Sequence, residues 1–294
     1  MCSVIRIGSR ESLLAVKQAE IIRSCIQEQD PSVQIEIVTM KTTGDRILDK
    51  SLEKIGGKGL FVKELDRALL EGRIDLAVHS LKDMPMEENP DLPIQAYSKR
   101  EDPRDVLMYR PGLSALPEHA VIGTSSRRRA LQLERLYPGC TFRGIRGNVQ
   151  TRLRKLETEG YDGTILAAAG LKRLGMEHLA GRYFSVEEMI PAAGQGILAV
   201  QGRRGETYEW MRQLNNPCSC AAAEAERQFI RVLGGGCTSP SAAYAQTAGK
   251  ELKLMGLYYN ETSGEYAVDT ICGEADQARQ MGEKLAVRLK KRIS

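Results

Sequence analysis

The sequence predicts an α/β protein: two similar α/β domains followed by a small C-terminal α+β domain. Three observations carry that expectation. Apolar residues recur twice in strand–helix–strand–helix–strand order, at 4–79 and again at 121–168, the pattern of a sheet with helix-covered faces. Prolines and glycines gather between the two runs (Pro103, Pro111, Gly112, Pro117) and after them (Pro191, Gly194, Gly196), where the chain must turn or cross. The last third alternates like an antiparallel sheet at 253–259 and 266–271 and closes in a helix up to Ile293. A chain of 294 residues also exceeds most single domains. The expected bounds are 1–99 with 196–216 for the first domain, 100–195 for the second and 217–294 for the third.

Each element has its own signal. Residues 4–7 read as a buried strand, and Gly8-Ser9-Arg10 as the turn into a helix faced by Leu13, Leu14, Val16, Ala19, Ile21 and Ile22. Residues 33–40 alternate as a strand does. Gly56-Gly57-Lys58-Gly59 opens a helix carrying Leu60, Phe61, Leu65, Ala68 and Leu69, and 75–79 is the third strand. In the second run, 121–123, 141–145 and 164–168 read as strands. Between them lie helices marked by Leu131, Leu133 and Leu136, then by Val149, Leu153 and Leu156. This order favours parallel sheets. Residues 197–200 form one more strand, and a helix from Ala221 to Leu233 leads to Gly234-Gly235-Gly236-Cys237.

Composition narrows the class. Aromatic residues are only 5%, so the core must be aliphatic. No apolar stretch approaches the roughly 20 residues that span a bilayer. Arg6, Arg10 and Glu11 stand where a signal peptide needs its apolar run. A cytoplasmic protein without a membrane partner is expected. The seven cysteines are irregularly spaced, which argues against a disulfide framework. Cys218 and Cys220 form a C-x-C without a second pair or a nearby histidine, so no metal is expected.

The net charge of +4 hides an asymmetry. Residues 121–175 hold eleven basic and four acidic residues, a net +7 against −3 for the remainder. A basic middle calls for an anionic partner. Ser126 can cap a helix whose first turn holds Arg128 and Arg129, charges that oppose the helix dipole. A bound anion would offset that cost. Arg146-Gly147-Asn148 followed by Arg152 repeats the arrangement. Arginine's planar fork suits carboxylates, so several of them suggest a polycarboxylate or a phosphate. Gly56-Gly57-Lys58-Gly59 lacks the spacing of a nucleotide loop and reads as a hinge or helix start. Lys82 and Asp83 stand where the strand at 75–79 passes into a loop limited by Pro85, the edge where catalytic groups point in such sheets. Three glycines before Cys237 leave its thiol accessible, either as a nucleophile or attachment point or simply within a flexible turn.

A set of ordered segments then resembles one family along the whole chain. They are Arg10-Glu11-Ser12, Thr43-Gly44-Asp45, Gly57-Lys58-Gly59-Leu60-Phe61 and His79-Ser80-Leu81-Lys82-Asp83-Met84-Pro85. Further along come Gly123-Thr124-Ser125-Ser126 with Arg128-Arg129, Arg146-Gly147-Asn148 with Thr151-Arg152-Leu153, and Ala169-Gly170-Leu171-Lys172-Arg173. Gly194-Gln195-Gly196, Ala225-Glu226-Arg227 and Gly235-Gly236-Cys237 complete the set. Together they resemble the porphobilinogen deaminase (hydroxymethylbilane synthase) family. The resemblance implies two periplasmic-binding-protein-like α/β domains and a third domain. It implies a transferase that joins four porphobilinogen units head to tail on a dipyrromethane cofactor in thioether linkage to Cys237, and that acts as a monomer. Asp83 is implied as the catalytic carboxylate. Lys82, Asp83, Ser126, Arg128, Arg129, Arg146 and Gly147 are implied at the cofactor, and Arg10, Ser12, Phe61, Arg146, Arg152 and Gln195 at the substrate. The family's carboxylate-rich pyrroles would be the anion that the arginines await.

Two segments depart from the family pattern: Thr238-Ser239-Pro240-Ser241 after the cysteine, and the cysteine-bearing residues 217–223. The rival reading is a non-enzymatic module for anionic solutes, which needs neither the third domain nor Cys237. Nucleic acid is not expected, because aromatics for base stacking are scarce near Arg127-Arg128-Arg129.

Overall fold

The computed structural model describes residues 4–46, 62–236 and 239–293. Three sheets organise it. The first contains β1 (Ile5–Arg10), β2 (Ile35–Met40), β3 (Leu76–Ser80), β4 (Ile94–Tyr97) and, from much later in the chain, β10 (Leu198–Gly202). Their order is β2-β1-β3-β10-β4. The second contains β5 (Asp105–Tyr109), β6 (Val121–Gly123), β7 (Thr141–Arg143), β8 (Gly163–Ala167) and β9 (Arg182–Tyr183), in the order β7-β6-β8-β5-β9. The two orders correspond strand for strand, so the internal likeness read from the sequence is a likeness of topology.

Both sheets are mixed, not parallel throughout as the strand–helix alternation suggested. β1 runs parallel to β2 and β3, but β10 is antiparallel to β3. β6 runs parallel to β7 and β8, but β5 is antiparallel to β8. In each sheet the reversed strand is the one that follows a crossing between the sheets. It therefore brings its N-terminal end to the edge where its neighbours end: Leu198 pairs with Ser80, and Asp105 with Ala167.

The elements follow local chemistry. α1 (Leu13–Gln29) starts where the Ser12 side chain accepts the Ala15 N–H, and it buries Ala15, Ala19, Ile22 and Ile26. β1 runs through Gly8-Ser9-Arg10, where a turn was expected, because these residues pair with Val38, Thr39 and Met40. Gly8 also lies where a Cβ would stand 2.3 Å from the Ile74 side chain. α2 (Thr43–Arg46) is a single turn, and α3 (Lys63–Leu70) buries Leu65, Ala68 and Leu69. The Gly56–Gly59 segment lies outside the described residues. α4 (Arg127–Leu136) and α5 (Val149–Thr158) match the expected helices, and the short α6 (Ala168–Arg173) follows β8 directly.

After a turn of helix, α7 (Met211–Leu214), the chain enters α8 (Pro217–Val232). α8 begins four residues before the expected Ala221, with the Asn216 side chain capping Ser219 N–H and Pro217 in the first turn, a position that proline's missing N–H suits. β11 (Ala242–Ala248), β12 (Glu251–Tyr259) and β13 (Tyr266–Glu274) form an antiparallel meander. α8 and α9 (Ala278–Arg292) cover it through Phe229, Ile230, Leu254, Met281 and Leu285. β11 escaped the sequence reading because its alanines carry too little hydrophobic contrast to show a period.

Candidate active site

The site is built at the carboxyl edges of the first two sheets, around the chain crossings at 98–104 and 190–197. The two crossings are tied by Glu101 N–H to Gly196 C=O (3.1 Å) and Ser98 N–H to Leu198 C=O (2.9 Å). Gly196 has φ +91°, and a Cβ there would stand 2.3 Å from the Glu101 carbonyl oxygen. Gly194 has φ +76° and abuts Leu81. Only glycine meets both conditions, so Gly194-Gln195-Gly196 places Gln195 between the two sheets, 1% exposed.

On the first wall, β3 ends at Ser80 and a single 3-10 turn, Leu81–Asp83, carries Lys82 and Asp83. Leu81 is fully buried and its N–H is held by Ile197 C=O at 3.0 Å. The anchored leucine fixes the turn; Lys82 is half-buried and Asp83 exposed. Ser12 and the half-buried Arg10 lie at the end of the neighbouring β1. His79, just before the turn, is buried and bonded through Nε2 to Gln201 Oε1 (3.0 Å). Burial pushes its pKa down to about 4, so it is neutral near neutral pH.

On the second wall, Ser126 caps α4 by accepting the Arg129 N–H. Arg128 and Arg129 turn inward onto Asp105, which is wholly buried. Arg128 Nη2 donates to Asp105 Oδ2 (2.8 Å) and Nη1 to Ile190 C=O (2.7 Å). Arg129 donates to Asp105 Oδ1 through Nε (3.1 Å) and Nη2 (2.7 Å), and to Ile165 C=O through Nη1 (2.8 Å). Burial alone would push the Asp105 carboxyl up, but Arg128, Arg129 and Lys82 hold it well below the ordinary carboxylate range. Asn148 caps α5 through Thr151 N–H, and Arg152 Nε donates to Gly147 C=O at 2.9 Å. Gly147, at φ +115°, lies where a Cβ would collide with Thr151 at 2.5 Å.

Gln195 joins the walls. Its Oε1 accepts from Lys82 Nζ (3.3 Å), and its Nε2 donates to Asp105 Oδ1 (3.0 Å) and to Pro103 C=O (2.6 Å). Burial, then Arg129 and Arg128, push Lys82 down to about 8, against the pull of Asp83 and Asp105. Burial, then Arg129 and Arg146, push Arg152 down to about 10 although Asp83 favours its charge. Thus Asp83 from one wall and Arg152 from the other share one field. Among the described residues, Lys82, Arg128, Arg129, Arg146 and Arg152 outnumber the carboxylates Asp83 and Asp105 between the two walls, and a guest bearing several carboxylates fits that surplus. The structure brings together Lys82, Asp83, Gln195, Arg128, Arg129, Arg146 and Arg152. Phe61 and Cys237 lie outside the described residues.

Residues 5–209 match the family model "Porphobilinogen deaminase, dipyromethane cofactor binding domain", and residues 211–291 match that of the porphobilinogen deaminase C-terminal domain. The chain belongs to the porphobilinogen deaminase family. The porphobilinogen deaminase of Ruminiclostridium josui is 53% identical, covering 97% of this chain and 97% of its own. That of Acetivibrio thermocellus is 51% identical over 98% of each chain, and that of Thiobacillus denitrificans 47% over 97% of this chain and 94% of its own. Among solved structures, the BenM effector binding domain with benzoate is similar at 17% identity and a TM-score of 0.41, over 72% of this chain and 90% of that one. The second family match covers the part of the chain that the rival solute-binding reading did not need.

Two residues of the site region have roles that the sequence reading did not assign. Asp105 is the carboxylate that the paired arginines hold, where the sequence alone predicts an external anion. The unfavourable charge of Arg128-Arg129 at a helix start was the available signal, and it fits an internal partner as well as a ligand. Glu226, fully buried in α8, accepts two bonds from Arg100 (2.8 Å each), one from Gly194 N–H (2.7 Å) and one from Ala245 N–H (2.7 Å). It fastens the third sheet to the crossing that carries Gln195. Among the described residues, no group of three or more His, Cys, Asp and Glu side chains could hold a metal, and no helix is long and apolar enough to cross a membrane.

Proposed function

We propose that the cleft between the first two sheets binds and polymerises porphobilinogen, with Asp83 as the catalytic carboxylate and Cys237 as the attachment point of the cofactor. The activity is that of the family: a transferase deaminating and condensing porphobilinogen into a linear tetrapyrrole. The observation that supports this placement best is the opposition of one exposed carboxylate, Asp83, to a surplus of arginine and lysine charge. When bound, the dipyrromethane group supplies a pyrrole carbon on which the chain can grow.

The residues divide the work by chemistry. Porphobilinogen carries an acetate and a propionate, and Arg128, Arg129, Arg146, Arg152 and Arg10 can pair with such groups through parallel N–H bonds. Ser12, Ser126 and Gly147 stand at the starts of α1, α4 and α5, where hydroxyl and backbone donors face carboxylates. Each condensation breaks the aminomethyl C–N bond and releases ammonia, then forms a C–C bond and releases a proton from the attacked carbon. Positive charge develops on the pyrrole as ammonia leaves, and a fixed anion beside its N–H lowers that barrier. Asp83 supplies that anion and can receive the proton later. Arginine offers neither service, having no acceptor at neutral pH. Phe61 and Gln195 line the cleft in this reading.

The domain bounds proposed are those given above, with function as a monomer in the cytoplasm and without nucleic acid. The scarcity of aromatics for base stacking near Arg127-Arg128-Arg129 supports the last point. Intact-protein mass spectrometry tests the whole. Wild type should carry a two-ring adduct, and Cys237→Ser should lose the adduct and the release of ammonia together. An unmodified wild type that still consumes porphobilinogen would refute the assignment.

A further inference from the structure

We propose that Asp105 is a positioning residue of this cleft: its buried carboxylate clamps Arg128 and Arg129 side by side and, through Gln195, sets the position and charge of Lys82 on the opposite wall. The proposal rests on the reading above for what the arginines bind, but not for the clamp itself.

The geometry builds it in three steps. First, β5 enters its sheet reversed, so its first residue stands at the edge where β8 ends, opposite Ala167. A carboxylate there reaches the start of α4, where two adjacent arginines would otherwise repel each other and the helix dipole. Second, both guanidinium groups are held at more than one point: Arg128 by Asp105 and Ile190 C=O, Arg129 by Asp105 and Ile165 C=O. A guanidinium has five N–H donors, so each arginine retains donors for a guest while its plane stays fixed. Donors held in place by the protein's own groups lower the cost of binding a guest. Third, Gln195 is oriented by its bonds to Asp105 Oδ1 and Pro103 C=O, which fix Nε2 toward the second wall and leave Oε1 to receive Lys82 Nζ.

Lys82 faces Asp83 from its own turn, Arg128 and Arg129 from α4, Asp105 from β5, and Gln195 from the crossing. Among the described residues, its ammonium lies between two arginines and two carboxylates. Removing either the Asp105 charge or the Gln195 acceptor should tip Lys82 toward the neutral amine. The positioning role therefore has a readout apart from turnover: the pH at which Lys82 becomes reactive.

The experiment labels the holoenzyme briefly with an amine-reactive acetylating reagent across pH 6–11 and quantifies Lys82 modification by peptide mass spectrometry. Only the neutral amine reacts, so the half-point reports the Lys82 titration. Wild type should turn near pH 8. Asp105→Asn should move the half-point down by about one pH unit, the lower range for loss of one close opposite charge. Gln195→Leu should move it in the same direction while leaving the arginine clamp intact. Asp105→Asn should also raise KM for porphobilinogen at least about tenfold, the effect of one lost charge-assisted bond; Gln195→Leu should raise it less. If Asp105→Asn does not fold, Gln195→Leu decides through the half-point. Unmoved half-points in the folded variants would overturn the proposal. Shifted half-points in a protein whose wild type makes no tetrapyrrole would leave the clamp standing and defeat the proposed function instead.

Discussion

The two walls of the cleft are made by the same topology and hold their charged pairs in opposite ways. In both, a charged pair follows a strand at the carboxyl edge of a sheet: Lys82-Asp83 after β3, and Arg128-Arg129 after β6. On the first wall the pair sits on a short 3-10 turn anchored by one leucine, and the carboxylate is exposed. On the second the pair sits in the first turn of a ten-residue helix and is turned inward, with both guanidinium groups nearly fully buried against Asp105. A buried, multiply bonded cation holds one geometry and is suited to binding. An exposed carboxylate on a short turn can meet successive substrates and exchange a proton with them. On the proposed function, recognition falls to the second wall and chemistry to the first, and mutating the walls in turn can break that division.

The largest effect is expected on the second wall. Arg129→Ala leaves Asp105 buried with one arginine fewer, and breaking such a pair costs about 3–5 kcal/mol of stability. Arg128→Ala should behave similarly. From the sequence alone, an arginine binding only an external ligand should have cost activity far more than folding. Because both side chains also hold Asp105 and backbone carbonyls, thermal unfolding should fall markedly together with activity. Melting temperatures within about 1 °C of wild type in both variants would show that the clamp carries no stability.

The first wall should show the reverse. Asp83→Asn keeps the shape of an exposed side chain, so melting should barely change. Turnover should fall at least about a hundredfold, the lower range for loss of a general acid–base group, or about 2.7 kcal/mol on the barrier. Stalled enzyme–substrate species should appear as added mass on the intact protein. Near-normal turnover in a folded Asp83→Asn protein would place the chemistry on another carboxylate.

How much of this was legible in the sequence follows the same division. Lys82-Asp83 could be placed because a strand, a turn and Pro85 are all local signals. The helix start at Ser126 was legible for the same reason: a cap is read from a few adjacent residues. Asp105 was not, because its partners lie 23 and 24 residues away and its strand has no alternation to announce it. β5 is buried at four of its five positions, so its period is invisible, and the nearby prolines make the segment read as a linker. Glu226 was hidden in another way. On the helix it looks like one more polar residue of a charged run, and only the crossing at Arg100 and Gly194 makes it an anchor. The reversed strand β5 explains the first failure, since a strand returning from another sheet leaves no local trace of its neighbours.

His79 separates the walls by pH. It is buried and neutral behind Asp83, with its pKa pushed down to about 4 by burial, against about 6.5 when unfolded. Between those values the unfolded chain binds a proton that the folded one does not. Stability is therefore complete above about pH 6.5 and is lost as the pH falls toward 4, at about 1.4 kcal/mol per pH unit. The carboxyl of Asp105 has the same sign but begins to act only as the pH falls into the ordinary carboxylate range, about pH 4. Urea unfolding of wild type and His79→Gln from pH 4.5 to 7 should converge at the acid end. Parallel curves across that range would show that His79 is not the titrating group.

The smallest effect closes the comparison, because it falls in the same three-residue run as the largest. Arg127, Arg128 and Arg129 are identical in chemistry and adjacent in sequence, yet the first turn of α4 points only the last two at Asp105. Arg127 faces outward and pairs with Glu261 at 3.0 Å, its side chain 43% exposed and that of Glu261 59%. A pair so exposed gains little Coulomb energy in high dielectric and loses side-chain entropy on ordering, so its contribution is at most about 1 kcal/mol. Position in the first turn makes Arg127's charge slightly unfavourable toward the helix dipole, which cuts the net value further. Arg127→Ala should therefore shift unfolding by less than about 1 kcal/mol and leave turnover within a factor of about two. Raising the salt concentration should erase what difference there is, since screening acts on exposed pairs first. A loss at Arg127 as large as that at Arg129 would mean that the basic run works as a surface patch, and that burial against Asp105 is not what distinguishes the second wall.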